Sequence, residues 1–271
     1  MKGAMFKMKE YIKRHHELSK PVERIYWWLV RGAMLVSMGI SVYRFMKTKE
    51  SEHLTQVAQT FANLVGMFAW EIMMATSKKS LMSYIPSYVQ NITLWGFFNG
   101  SFLGAFLNFY YSIPVYDMVL HVLGGAEACF IGYELITAIQ MRDKKTAPLS
   151  LILFGACGIS FIFGTGWEVF EFTFDQLGHG DSQHWSMALA LEACEKYGCK
   201  MPNVIPALDD MRYALIDTME DTIANVIGAV GMTLILKARP YHHRKNKDVN
   251  KLIEEGYDFG YGGRVIEKAV K

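Results

Sequence analysis

The 271-residue chain is 51% apolar and 20% charged, whereas soluble domains carry roughly 45–50% and about 25%. Residues 80–116 and 146–167, 37 and 22 positions long, contain no Asp, Glu, Lys or Arg. Two such windows exclude an ordinary soluble globule, because about 20 mostly apolar residues suffice to cross the hydrocarbon layer. The net charge of +2, with no basic stripe interleaved with aromatics, excludes a nucleic-acid-binding protein.

In chain order, residues 1–24 form a basic arm carrying Lys2, Lys7, Lys9, Lys13, Arg14, Lys20 and Arg24. No small-residue cleavage site follows closely, so the first apolar run reads as an uncleaved span rather than a signal peptide. The pattern predicts an all-α, polytopic membrane protein of six helices, at about 25–46, 54–76, 88–111, 117–140, 149–172 and 213–236. The first carries Arg31, and the second Gln56, Gln59, Asn63 and Glu71. The third carries Gly96, Gly100 and Gly104, a small-residue ridge of the kind that lets helices approach closely. The helices make one transmembrane domain, 25–238, followed by a polar tail, 239–271, with room for one short helix. Gly260, Gly262 and Gly263 follow no strand pattern there and do not read as a phosphate loop.

Orientation follows from Lys and Arg in the short loops. The N-terminal arm, Lys78 and Lys79, Arg142, Lys144 and Lys145, and the run from Lys237 to Lys247 all fall on one side of a six-span chain. Both termini are therefore expected in the cytoplasm, with loop 173–211 outside; Arg44, Lys47 and Lys49 are the exception to the charge rule. Within that loop, 182–197 holds Trp185, Met187, Leu189 and Leu191 and is too short to span. It reads as an interfacial helix, with a lid over an outward pocket as the alternative.

Charged groups inside spans cost about 2.5–3.5 kcal/mol each to insert, so their positions carry information. Asp117 and His121 are four apart at the outer end of the fourth helix, with Glu127 deeper. Glu168 and Glu171 are three apart in the fifth. Asp217, Asp221 and Asn225 form a row in the sixth, beside Glu220. Helical spacing gives each set one face, and the orientation puts all three in the outer half of the membrane. A shared polar pocket is expected, with His121, Glu168 and Asp221 as catalytic candidates and Asp117, Glu127, Glu171, Asp217, Glu220 and Asn225 lining it. Seven acids beside one histidine require protons, arginines (Arg44 or Arg212) or a bound cation. His121, Glu168, Glu171, Asp217 and Asp221 are candidate ligands for a divalent metal ion, although no HExxH or paired CxxC motif is present.

In the inner half, Arg31 is expected either to snorkel to the interface or to pair with Glu71 or Glu134. Cys129 and Cys157 read as small core residues, and Cys194 and Cys199 as free thiols or an outer-loop disulfide. His15, His16, His242 and His243 read as solvated.

At Asp117-Met-Val-Leu-His121, Gly166-Trp167-Glu168-Val-Phe-Glu171 and Asp217-Thr-Met-Glu-Asp221-Thr-Ile-Ala-Asn225-Val-Ile-Gly228-Ala229, the chain resembles the YjdF-type family of uncharacterised inner-membrane proteins. The resemblance covers about residues 117–236. The last row also resembles the D-x3-N-x2-G pattern of VanZ-like membrane proteins, a weaker likeness. These resemblances imply a multi-span protein of the bacterial inner membrane and no particular reaction. Three functions stay open. One is an enzyme on a lipid-linked or envelope substrate, with the acids as metal ligands and His121 or Glu168 as general base. The second is a proton- or cation-coupled transporter. The third is a protein that captures a lipid headgroup without chemistry. Membrane lipids are the expected partners.

Overall fold

The computed structural model describes residues 9, 13, 19–76, 80–178, 182–183, 185–186, 188, 191–192, 195–196, 198 and 212–268, with residues 51, 70–76, 178, 267 and 268 described by backbone alone. The expected Cys194–Cys199 pairing, the solvated His15 and His16 and most of helix 182–197 lie outside the described residues.

Helix α1 (Pro21–Thr48) begins with a proline, whose missing N–H is unneeded in a first helical turn. It ends at Lys49 in the left-handed region, φ 64°. Helix α2 (Ser51–Thr76) runs back beside it, and α3 (Ser87–Phe98) packs on both through Trp27, Val30, Met34, Leu64, Met67 and Leu94. Helix α3 widens directly into a π-helical segment (Asn99–Phe106), then turns through Asn108 into the short α4 (Phe109–Ser112). Three long helices complete the bundle: α5 (Tyr116–Asp143), α6 (Leu149–Gly178) and α7 (Tyr213–Ala238). Cys129, Tyr133, Ile152, Leu153, Ala156, Ala229 and Leu236 form their common core.

Among the described residues, four helices are long and apolar enough to cross a membrane: α1, α5, α6 and α7. Their outward faces present large apolar side chains, including Leu29, Val36, Phe154, Ile162, Ile223 and Leu234. Exposed apolar surface on this scale marks a lipid-facing exterior. The third expected span is interrupted. Its glycines weaken the helix, and the wide turn, closed by the Leu107 N–H to the Phe102 carbonyl at 3.0 Å, stacks Phe98, Phe102 and Phe106 in a column.

The glycine ridge has a different use from the one expected. Gly96 leaves room for the Glu127 carboxylate and Gly104 for the Tyr110 ring, whose hydroxyl lies beside Gly100. Close helix approach falls instead to Gly125, which abuts the Asn225 backbone, Gly132 against Ala156, and Gly228 against the Val122 carbonyl. The Ser160 hydroxyl donates to the Gly125 carbonyl at 2.8 Å and ties α6 to the same crossing.

The polar tail is folded, and it departs from an all-α chain. Helix α8 (Pro240–Glu254) leads into an antiparallel hairpin of β1 (Tyr257–Phe259) and β2 (Val265–Lys268). Val249 and Phe259 bury against Ile85, Val89, Ala138 and Met141 at one end of the bundle. Asn246 and Asn250 donate to the Ala147 carbonyl at 3.3 and 3.0 Å, clamping α8 to the turn between α5 and α6. His242, expected in solvent, is buried edge-on against the Tyr133 and Tyr241 rings. Burial lowers its pKa from the ordinary 6.5. A neutral buried imidazole stabilises fully above the unfolded-state value, and that contribution is lost as pH falls through 6.5 towards the folded-state value. The unfolding temperature in detergent should therefore fall less steeply on acidification below pH 6.5 in His242→Phe than in the wild type. Identical slopes would remove His242 from the account.

Candidate site at the crossing of three helices

The site starts from a spacing of four. Asp117 and His121 follow the tight turn that ends at Val115, a β-branched residue held at φ 56°. That conformation is strained for such a residue, and it immediately precedes the first turn of α5. His121 Nε2 lies 3.6 Å from Asp117 Oδ1 and 3.6 Å from Asp221 Oδ2 on α7. The other ring nitrogen, Nδ1, lies 3.7 Å from Glu168 Oε1 on α6. One imidazole thus meets carboxylates from three helices. A ligand atom from each of Asp117, His121 and Asp221 falls within 4.8 Å of the other two. Glu168 is 7% exposed, and neither carboxylate oxygen has a hydrogen-bond partner among the described residues. A buried acceptor left in that state is costly, so the carboxyl calls for a proton or a cation.

The other predicted residues lie at differing distances from this set. Glu171 accepts from the Trp167 indole at 2.8 Å and lies within electrostatic reach of Asp117, Glu168 and Asp221. Asp217 lies within such reach of Asp117 and Glu220. Glu220 itself is exposed. Asn225 is wedged against Gly164, where any larger residue would strike its amide. Arg44 does not enter the cluster; its guanidinium lies over the Phe106 ring.

A cavity of about 230 Å³ adjoins the cluster, with Asp117, His121, Glu127 and Asn225 on its walls together with Asn63 and Asn99. Leu123 and Phe163 line it as well, 44% and 60% exposed on the apolar exterior. The cavity therefore has a flank on the lipid-facing surface. Beside the cluster, Ser182 and Gln183 are tied to α6 and α7. Asp175, buried, accepts the backbone N–H groups of Ser182 and Gln183 at 2.8 and 2.9 Å. The Gln183 amide donates to the Glu168 carbonyl (3.4 Å) and the Thr218 hydroxyl (3.0 Å), bridging α6 and α7 beside the cluster. Farther along, Lys196 reaches Glu50 and Glu52 at the α1–α2 turn (2.7 and 3.1 Å) and holds the Glu50 carboxyl below its usual range.

Sequence reasoning missed Tyr110, Asp175 and Gln183. Tyr110, in electrostatic reach of Asp117, Glu171 and Asp221, follows a turn whose course no periodicity encodes. Asp175 carried a signal, an acid one turn past Glu171, but its partners are backbone groups of a loop.

At the other end of the bundle, Glu134 pairs with Lys245 and not with Arg31. The Arg31 guanidinium, buried at 1% exposure, donates to the Met67 carbonyl at 2.7 Å and lies over the Trp27 and Phe68 rings. Glu134 takes Lys245 of α8 at 2.6 and 2.7 Å and the Tyr88 hydroxyl at 2.8 Å. The Glu71 side chain lies outside the described residues.

No curated protein and no solved structure matches the chain. A family model described as "Predicted membrane protein (DUF2238)" matches residues 25–242, from the start of the apolar part of α1 into α8. The helices that build the crossing all lie inside that match, and the chain belongs to this family of membrane proteins, the YjdF-type family.

Proposed function

We propose that this chain crosses the bacterial inner membrane six times, holds a divalent cation in the outer half of the bilayer, and uses it to bind or process the polar head of a lipid-linked envelope substrate. The observation that carries the reading is the imidazole with Asp117 and Asp221 at one nitrogen and Glu168 at the other. In such a set Nε2 and the two aspartates would be the ligands, and Glu168, 3.7 Å from Nδ1, would fix the ring tautomer on closing to hydrogen-bond distance, the arrangement that orients metal-bound histidines. A cation there would polarise a phosphoryl or carbonyl oxygen. Glu127 and Asn225 would contact the head of the substrate. The exposed Leu123 and Phe163 on the cavity wall favour a ligand that arrives from lipid, and the Gln183 strap restricts access from water.

Elemental analysis and thermal unfolding of the purified protein test the cation. Chelation should lower Tm, and Mg²⁺, Mn²⁺ or Zn²⁺ should restore it, because a ligand that binds only the native state stabilises it by about 2.7 kcal/mol at a hundred times its Kd. Asp221→Asn and Asp117→Asn should fold and lose the response. A wild type without metal and indifferent to chelator would sink the reading.

A second reading, coupled transport, draws on a buried polar seam along α2. His53, Gln56, Thr60 and Asn63 are buried, Gln56 accepts from Ser41, Asn63 donates to Ser101, and Asn63 opens onto the cavity. Proton flux into proteoliposomes that is lost in Asn63→Leu would select it.

Orientation rests on loop charge. In a background without native cysteines, Ser182→Cys and Ser51→Cys should react with an impermeant thiol reagent in intact cells, and Lys144→Cys should not. Reaction at position 144 alone would invert the topology.

A further inference from the structure

A second cavity, of about 370 Å³, lies at the opposite end of the bundle, between α5, α8 and the hairpin. Its floor is the Glu134–Lys245 pair, closed on itself by two short contacts and the Tyr88 hydroxyl. Neither charge of that pair is available to a ligand. Two other charges on its wall are available. Arg244 and Asp248 both line the cavity, both are exposed, and neither has an ion-pair partner among the described residues. They stand one helical turn apart, so they share a face of α8, yet they do not pair with each other. The rest of the wall is apolar, with Val249, Leu252, Phe259 and Val265.

Position adds a second constraint. Helix α8 starts two residues after α7 ends at Ala238, so the cavity lies where that helix leaves the membrane. An unpaired guanidinium and an unpaired carboxylate over an apolar wall match a phosphate and an ammonium joined by a short link. Arg presents a planar fork to phosphate, and a carboxylate accepts only from a cation or donor. A purely anionic head would satisfy Arg244 and set a second negative charge near Asp248.

We infer that this cavity is a binding site for a phosphate–ammonium zwitterion, the head of phosphatidylethanolamine in the adjoining leaflet, with Arg244 on the phosphate and Asp248 on the ammonium. The site is independent of the outer cation cluster.

The test is native mass spectrometry of the full chain released from vesicles of equimolar phosphatidylethanolamine, phosphatidylglycerol and phosphatidylcholine. The wild type should retain phosphatidylethanolamine about fivefold or more over phosphatidylglycerol, in line with charge-assisted pairing at both ends. Asp248→Asn should bring phosphatidylglycerol to parity or above. Arg244→Gln should remove retention of both. Each residue is exposed and unpaired, so the variants should keep the wild-type Tm, which checks that they fold. Soluble phosphoethanolamine should displace the lipid; if it binds while no lipid is retained, the zwitterion site stands with a free molecule as its source. Equal retention of all three lipids by the wild type, or one unchanged profile across both variants, would overturn the assignment.

Discussion

Lys245→Met should lower unfolding stability in detergent by about 3–5 kcal/mol, because it strands a buried carboxylate. Glu134 is 1% exposed, and both of its oxygens take Lys245, with Tyr88 as the one further donor to it among the described residues. The double variant Lys245→Met/Glu134→Gln should regain most of the loss, since the neutral amide needs no counter-charge and Tyr88 can still donate to it. This asymmetry separates a buried pair from a surface one, for which both variants would stay within about 1 kcal/mol of wild type. Equal destabilisation by the single and double changes would mean that Lys245 acts by packing on Tyr133, over whose ring it also lies.

The same pair shows what the sequence could and could not disclose. Charges at similar depth in different helices invited a match between Arg31 and Glu134. In the fold, the compensating cation comes from α8, beyond the last long helix. A helix that returns to cover the bundle leaves no mark in mean hydropathy, since its buried side is built from His242, Asn246 and Val249 among charged neighbours. Likewise, Gly96, Gly100 and Gly104 announced small residues on one face. Whether such a face receives a helix backbone or a side chain depends on what the turn at Asn108 brings back, and here it brings Tyr110.

The crossing of α5, α6 and α7 was far more legible. Burial of ionisable groups is so unfavourable in hydrocarbon that each acid marks a face, and spacing of three or four fixes which acids share it. Those two rules give each set its face, and the loop charges set all three at one depth, so a shared pocket could be expected before any contact is known. They do not say which groups lie nearest. Asp117, set aside as a lining residue, is in the innermost set, while Glu171 is held one step away by Trp167. That sorting depends on ångström-level rotation of α6, which spacing alone cannot specify.

Gly228→Ala tests whether the close crossing, and not the acids alone, makes the site. A Cβ at Gly228 would meet the Val122 carbonyl and the Ala126 nitrogen, both backbone atoms of α5 that cannot swing aside. The helices must separate, and overpacking of this kind costs about 1–3 kcal/mol. Val122 adjoins His121, and Gly228 lies two turns from Asp221 on α7, so separation also draws Asp221 away from the imidazole. Gly228→Ala should therefore lower Tm in detergent and weaken the chelator response together. Gly231→Ala, three residues along the same helix with nothing within 4 Å of its Cβ position, is the matched control. It should be neutral or stabilising by up to about 1 kcal/mol, since alanine is the better helix former. If both glycines tolerate alanine equally, the helices do not cross at Gly228. If Gly228→Ala destabilises while the cation response is intact, the site is formed by side-chain reach and the tight crossing serves only stability.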